Sequence, residues 1–264
     1  MPAETEAGGL RLAVVGKGGS GKSVVSGTLA RVLARRGRKV LALDSDTLPG
    51  LQYSLGAVVP DVPPLLAATV RGDDKRWRFA AGVGPVRAVQ RFSTGAPDGI
   101  RLLQVGKTTK DGHGPVMGAT QGFHMTIHGL DRSRTFDDWV LLGDLSAGPR
   151  QAAFDWAPYA RRLLLVVEPT RQSMMTARRV RRIAAQAHPG VAFSLVVNKA
   201  ARPQDAEEIG AFLELEPVGV VPADEAVRTS ERFGVALIDF APDAPALRAI
   251  ERLADALERS SFEQ

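Results

Sequence analysis

The sequence predicts an α/β fold, a mostly parallel, doubly wound sheet flanked by helices in a single domain. Seven short runs rich in Val, Leu and Ile recur along the chain, at residues 10–15, 39–43, 100–105, 139–142, 163–167, 193–197 and 217–221. Each is of strand length and does not alternate apolar with polar residues, the pattern of parallel strands covered by helices on both faces. Between the first two runs, Val25, Leu29, Val32 and Leu33 repeat at helical spacing and Gly37 follows as a stop, which makes one βαβ unit. The 264 residues, 44% hydrophobic and 24% charged, suffice for one α/β domain with a sizeable core.

Residues 1–9 are acidic and small, without the positive start and apolar stretch of a signal peptide. They read as a disordered leader to a domain spanning 10–264, and the protein is expected in the cytoplasm. No apolar run approaches the roughly 20 residues of a membrane-spanning helix, so no transmembrane segment is expected. The chain has no cysteine, which excludes disulfides, thiolate metal sites and cysteine nucleophiles. The net charge of +5 permits a nucleic-acid or acidic partner, but the excess is mostly arginine spread along the chain and reads as compositional bias.

Directly after the first strand, Gly16-Lys17-Gly18-Gly19-Ser20-Gly21-Lys22-Ser23 fits the phosphate-binding pattern G-x-x-x-x-G-K-[ST], with a strand before it and a helix after it. Glycines allow backbone N–H groups to converge on phosphate oxygens, and the helix adds its positive N-terminal end. Lys22 is expected to reach the β- and γ-phosphates and the Ser23 hydroxyl to ligate Mg²⁺. Gly18, Gly19, Ser20, Gly21, Lys22, Ser23 and Val24 are the nucleotide-binding candidates here. Lys17, beside a run of glycines, has no core role; it points at solvent, at the nucleotide or at another chain.

The stretch from Lys17 to Ser23 resembles the K-G-G-x-G-K-[ST] loop of the deviant Walker A ATPases, the group of MinD, ParA, the nitrogenase iron protein and the CooC-like maturation proteins. The resemblance spans about residues 10–240 and implies that Lys17 crosses a dimer interface to the partner's phosphates, a catalytic role beside Lys22. It implies further that Asp46, second acid of Asp44-Ser45-Asp46, faces the γ-phosphate and its attacking water and belongs with Ser23 to the Mg²⁺ site. A carboxylate at the C-terminal end of a strand also lies where open α/β sheets bind ligands. Asp44 reads equally as a structural acid bonding loop backbone. Asp144-Leu145-Ser146-Ala147-Gly148 resembles the second switch, whose aspartate holds a Mg²⁺-bound water. Asn198 and Lys199 match the base-recognition position, and Pro222 lies in a loop similar to the one beside the base. Ala201 stands where guanine-specific proteins carry an aspartate, so ATP is the expected nucleotide.

Two departures from the group stand out. Val24 replaces a hydroxyl residue, removing one side-chain contact to the α-phosphate. The 100–106 strand resembles the CooC-like one that leads to Cys-x-Cys, yet no cysteine follows, and thiolate-based nickel or zinc chemistry is excluded.

Residues 59–98 read as a helical excursion, and residues 106–134 as a variable interface loop with one short helix, holding His113, His124 and His128. His124 and His128 stand four apart, as helical metal ligands would. Gly122 and Gly129 argue against a helix and no acid occupies a matching position, so the histidines read as loop residues at a subunit or partner surface. At 245–259, Leu247, Ile250, Leu253 and Leu257 form an apolar stripe expected to pack on the body. Arg171, Arg178, Arg179, Arg181 and Arg182 read as a solvated helix face rather than a nucleic-acid site. The expected function is an ATP-hydrolysing, nucleotide-gated switch, homodimeric when ATP-bound, that regulates or assists maturation of an unidentified client protein. The alternative is a MinD/ParA-like positioning ATPase acting on DNA or a membrane surface.

Overall fold

The seven apolar runs form the seven parallel strands at the centre of the protein. The computed structural model describes residues 9–48, 50–58, 60–107, 113–153 and 155–261. Its strands are β1 (Arg11–Gly16), β2 (Val40–Asp44), β3 (Thr69–Arg71), β4 (Trp77–Phe79), β5 (Thr94–Gly95), β6 (Arg101–Gln104), β7 (Val140–Asp144), β8 (Arg162–Val167), β9 (Ala192–Ala200) and β10 (Pro217–Pro222). Its helices are α1 (Lys22–Arg35), α2 (Leu51–Leu55), α3 (Pro85–Phe92), α4 (His113–Leu130), α5 (Arg150–Ala153), α6 (Arg171–Ala187), α7 (Gln204–Leu213), α8 (Glu225–Phe233), α9 (Leu237–Phe240) and α10 (Pro245–Ser261). The main sheet has the order β10-β9-β8-β1-β7-β2-β6-β5, parallel except for the short edge strand β5.

Successive residues of a strand point to opposite faces, and here both faces are covered. On one side Leu12, Val14, Ala42, Leu102, Leu142 and Val166 meet Leu29 and Leu33 of α1 and Leu247, Ile250 and Leu253 of α10. On the other, Leu41, Leu43 and Leu141 meet Phe123 and Ile127 of α4, while Leu163, Leu165 and Val197 meet Val180 of α6 and Leu213 of α7. The C-terminal stripe therefore packs on the body as its spacing predicts. Of the expected leader, residues 1–8 lie outside the described residues. Gly9 already belongs to the body, its N–H donating to Asp137 O at 2.6 Å.

Two stretches differ from expectation. Residues 60–98 hold a five-residue 3-10 helix at Pro64–Ala68 and the eight-residue helix α3, and between them the antiparallel β3–β4 hairpin. The hairpin closes at Gly72-Asp73-Asp74-Lys75, where Gly72 N–H donates to Arg76 O at 2.9 Å and the Asp74 side chain accepts from Arg76 N–H at 3.2 Å. The larger correction concerns 106–134, most of which is α4, 18 residues long. Val116, Ala119, Phe123, Ile127 and Leu130 form a buried stripe at helical spacing. The glycines that argue against a helix are close-approach sites: a Cβ on Gly122 would lie 2.9 Å from Thr69 Cγ2 and one on Gly129 2.0 Å from Pro85 Cγ. Packing of that stripe outweighs the roughly 1 kcal/mol that each interior glycine costs a helix.

Candidate functional site

The phosphate loop leaves β1 at Gly16 and enters α1 at Lys22 through Gly19 (φ 78°) and Gly21 (φ 89°), both left-handed. A side chain at Gly21 would be strained and would also overlap the Asn198 amide. No side chain caps α1 at Gly21, so the first amides of the helix are left to a ligand. Lys22, 9% exposed, lies over the loop with Nζ 3.4 Å from Lys17 O. A cleft of about 720 Å³ opens beside it, walled by Gly19, Gly21, Lys22, Ser23, Val24, Asn198, Lys199 and Pro222. Gly18, Ser20 and Lys17 belong to the same turn, where Ser20 N–H donates to Lys17 O at 3.2 Å.

The acidic side of the site is assembled by strand register. Asp44 ends β2, Asp144 ends β7 and Gln104 ends β6, with Asp44 paired in register to both others. All three are buried and each keeps one unpartnered oxygen, Asp44 Oδ2, Asp144 Oδ1 and Gln104 Oε1. Asp144 Oδ2 accepts the Ser23 hydroxyl at 2.6 Å, and Asp44 Oδ1 accepts Asp46 N–H at 3.0 Å. Asp44 thus bonds loop backbone, one of the two roles open for it. Burial, and next the neighbouring Asp144, push the Asp44 carboxyl well above its ordinary range. Burial likewise raises Asp144 to about 6, against the Ser23 hydroxyl and Lys22. Asp46 is partly exposed at the rim, where Oδ1 accepts Leu48 N–H at 3.0 Å.

Two buried carboxylates with orphaned oxygens beside a serine hydroxyl are chemistry suited to a hard divalent cation. Among the described residues no group of three or more His, Asp or Glu side chains is arranged to hold a metal by itself. That fits Mg²⁺, which is bound through one or two protein oxygens and completed by phosphates and water. Ser23 and Asp144 would hold it, with the Asp46 carboxylate close enough to act on Asp144.

Gln151 joins the loops that follow β2 and β7. Its Oε1 accepts Ser45 Oγ–H at 2.5 Å and Ser146 N–H at 2.8 Å, and its Nε2 donates to Ser45 O at 3.0 Å. On the opposite rim Asn198 Nδ2 donates to Ser20 O at 2.8 Å, so Asn198 braces the phosphate loop as well as lining the cleft. Lys199, in a left-handed conformation (φ 57°), donates to Gly19 O at 2.5 Å. Pro222 forms part of the wall, and the following Asp224 caps α8 through Ala226 N–H at 2.9 Å while binding Ala246 N–H at 3.0 Å.

Glu168, which no sequence motif flagged, follows β8 directly. Its Oε1 pairs with Lys17 Nζ at 3.1 Å and its Oε2 with Lys199 Nζ at 3.3 Å. Burial works to raise the Glu168 carboxyl, yet the bonds to Lys17 and Lys199 hold it below its ordinary value. Its position at the C-terminal end of a strand is the signal that marks Asp46, and it applies equally here.

The histidines lie away from this cleft. His124 and His128 share one face of α4 with Nε2 atoms 3.2 Å apart, and His128 Nε2 is 3.6 Å from Asp155 Oδ2. An acid therefore does stand beside them, brought from a distant loop. The side chain of His113 lies outside the described residues. On α6, Arg181 donates to Leu213 O, and Arg178 lies 5.7 Å over the Phe212 ring. Arg171, Arg178, Arg179 and Arg182 are exposed.

The model of the CobQ/CobB/MinD/ParA nucleotide binding domain matches residues 12–259. The chain belongs to this family. It is similar to an uncharacterized ATP-binding protein of Methanocaldococcus jannaschii, 29% identical over 240 residues, which cover 85% of this chain and 90% of the relative. It is also similar to the carbon monoxide dehydrogenase accessory protein CooC of Rhodospirillum rubrum, 28% identical over 248 residues, 88% of this chain and 91% of the relative. The fold matches the septum site-determining protein MinD of Pyrococcus horikoshii, solved with Mg-ADP, at a TM-score of 0.72 and 20% identity, covering 94% of this chain and 96% of that one. Membership of the MinD/ParA family makes this a nucleotide-binding P-loop protein of the ATPase class. Among the described residues no helix is long and apolar enough to cross a membrane.

Proposed function

We propose that this family member hydrolyses ATP with Mg²⁺ as a nucleotide-gated homodimer in the cytoplasm, and uses the switch to regulate or assist maturation of a client protein. The observation that carries the reading is the division of labour between the two lysines of one loop. Lys22 lies over the phosphate turn, whereas Lys17 points away from it towards Glu168 at the mouth. In this reading the backbone of Gly18 to Ser23 and Lys22 bind the phosphates, while Asn198, Lys199 and Pro222 border the base. Ser23 and Asp144 would hold Mg²⁺, which would supply neutralising charge to the phosphates. Asp46 orients a water whose oxygen attacks the γ-phosphorus as the bond to the bridging oxygen breaks, and Lys17 of one protomer meets the charge developing on its partner's phosphate. Loss of the γ-phosphate then frees the loops after Asp46 and Asp144 and reopens the dimer.

The maturation role is supported by similarity to a carbon monoxide dehydrogenase accessory protein. A chain without cysteine would act there by conformational work on its client rather than by carrying metal on thiolates. The second reading, a positioning ATPase on DNA, is favoured by one observation: Arg171, Arg178, Arg179 and Arg182 are exposed on α6 and have no carboxylate partner among the described residues. Lys17→Ala tests the main reading: hydrolysis and ATP-dependent dimerisation are lost while nucleotide affinity changes by less than about threefold, within roughly 0.7 kcal/mol. A monomeric mutant hydrolysing at the normal rate overturns it. Salt-sensitive binding of nonspecific DNA that accelerates hydrolysis would move the assignment to the second reading.

A further inference from the structure

Three ammonium groups, those of Lys17, Lys22 and Lys199, surround the phosphate loop, and Glu168 pairs with two of them. The carboxylate is the fixed member of this cluster. Its side chain is only 13% exposed. Its backbone N–H donates to Ser173 Oγ at 3.1 Å, and Ser173 N–H donates in turn to Thr170 Oγ1, the N-cap of α6, at 3.3 Å. Glu168 is thus clamped between the end of β8 and the first turn of a 17-residue helix. Lys17 is the movable member, 30% exposed on a long side chain in a glycine-rich turn. Lys199 is held at its other side by Gly19 O, so it is tied to its own loop whatever Lys17 does.

We infer that Glu168 is a positioning residue for Lys17: in the unpaired protomer it latches the lysine to its own chain, and dimer closure must break that ion pair before Lys17 can reach the partner's nucleotide. The inference rests on the trans role proposed for Lys17. The latch sets a threshold, because a Lys17 held by Glu168 is not free to reach across an interface. Nucleotide on the partner is the competing anion that draws Lys17 away, so pairing between empty protomers gains nothing to offset the broken bond. A partly exposed ion pair of this kind is worth up to roughly 1 kcal/mol, about fivefold in an equilibrium constant. Since one closure opens two latches, the dimer dissociation constant carries up to about 25-fold.

The test is a mutant cycle on the full chain. Dimerisation is measured by sedimentation with a slowly hydrolysed ATP analogue, and protomer affinity with a fluorescent nucleotide. E168Q is expected to tighten ATP-dependent dimerisation by about 5- to 25-fold while protomer affinity for nucleotide changes less than about twofold. E168A should move the same way, so the result does not hang on the folding of one variant, and E168D should return the wild-type constant. In a Lys17→Ala background, E168Q should change nothing. Removing a negative charge near bound phosphates acts through space too, and that effect would persist without Lys17; persistence of the tightening in the double mutant therefore overturns the latch. An E168Q protein that dimerises no more tightly than wild type, beside a defective Lys17→Ala, overturns the latch alone. If Lys17→Ala dimerises and hydrolyses like wild type, the trans role falls and the latch with it.

Discussion

Asp144→Asn in metal-free protein should stabilise the fold while disabling the site. Asp144 is 3% exposed and stands in register beside the equally buried Asp44, with one oxygen unpartnered. Its carboxyl is raised from 3.8 to about 6 by burial, with Ser23 and Lys22 opposing. By proton linkage this represents about 3 kcal/mol of destabilisation at neutral pH, at about 1.36 kcal/mol per pH unit. Asparagine removes the charge, relieves Asp44 of its neighbour and still offers an oxygen to the Ser23 hydroxyl. For a chain of this size the gain corresponds to roughly 5–10 °C in Tm. The sign over pH follows from the same numbers. Between about 3.8 and 6 the folded carboxyl holds a proton that the unfolded one has released, so the Asp144 contribution to wild-type stability falls as pH rises through that window and is flat above it. The mutant lacks this contribution. Calorimetry in EDTA at pH 7.5 and pH 5.0 reads both: the mutant should melt above wild type at 7.5, with the gap narrowing at 5.0, and Mg²⁺ with ATP should no longer raise its Tm as it does in wild type. A mutant that melts at or below wild type in EDTA at pH 7.5 would refute the reasoning.

Gly143→Ala, on β7, drives a methyl into the hydroxyl of Tyr159, a side chain 1% exposed, and should cost about 1–3 kcal/mol in urea unfolding. Tyr159→Phe in that background should recover part of the loss, and an unaltered single mutant would count against the packing described. Arg31→Met removes a buried guanidinium that donates to Leu55 O at 2.9 Å and to Asp239 at 2.7 and 2.8 Å and pairs with Asp98. The expected cost is about 2–3 kcal/mol, below that of a fully severed buried pair because Arg35 still reaches both aspartates; an equal urea midpoint would refute it. His124 is lowered below its ordinary value by burial and by His128, so the folded state takes up a proton later than the unfolded one as pH falls. Stability should decline as pH drops below about 6.5, and His124→Asn should flatten that decline; identical pH profiles of the urea midpoint would contradict the assignment.

The strands and the phosphate loop were legible because their signals are local. A two-faced apolar run such as 163–167 needs no knowledge of its neighbours to read as a buried strand, and the loop from Gly16 to Ser23 carries its own chemistry in consecutive residues. Helix α4 reads from sequence as no more than one short helix because its glycines, Gly122 and Gly129 among them, look like breakers, although Val116, Ala119, Phe123, Ile127 and Leu130 hold the helical period. What makes those glycines tolerable is Trp77, Thr69 and Pro85 from other elements, which one segment cannot reveal. Asp46 and Asp144 were picked out at strand ends, but the row Gln104–Asp44–Asp144 depends on β7 lying between β1 and β2. The partner of Lys17 is 151 residues away in the chain, and that of His128, Asp155, is 27 away in a loop.

The Gln151 carboxamide has a mechanical consequence. Because one side chain bonds both Ser45 and Ser146, neither loop can shift far without stretching a bond to the other. Two loops built on separate strands are thereby yoked, so a disturbance at either should be felt at both in a single cooperative event instead of two graded ones. A glutamine 106 residues downstream of Ser45 thus ties together the loops at the ends of two neighbouring strands.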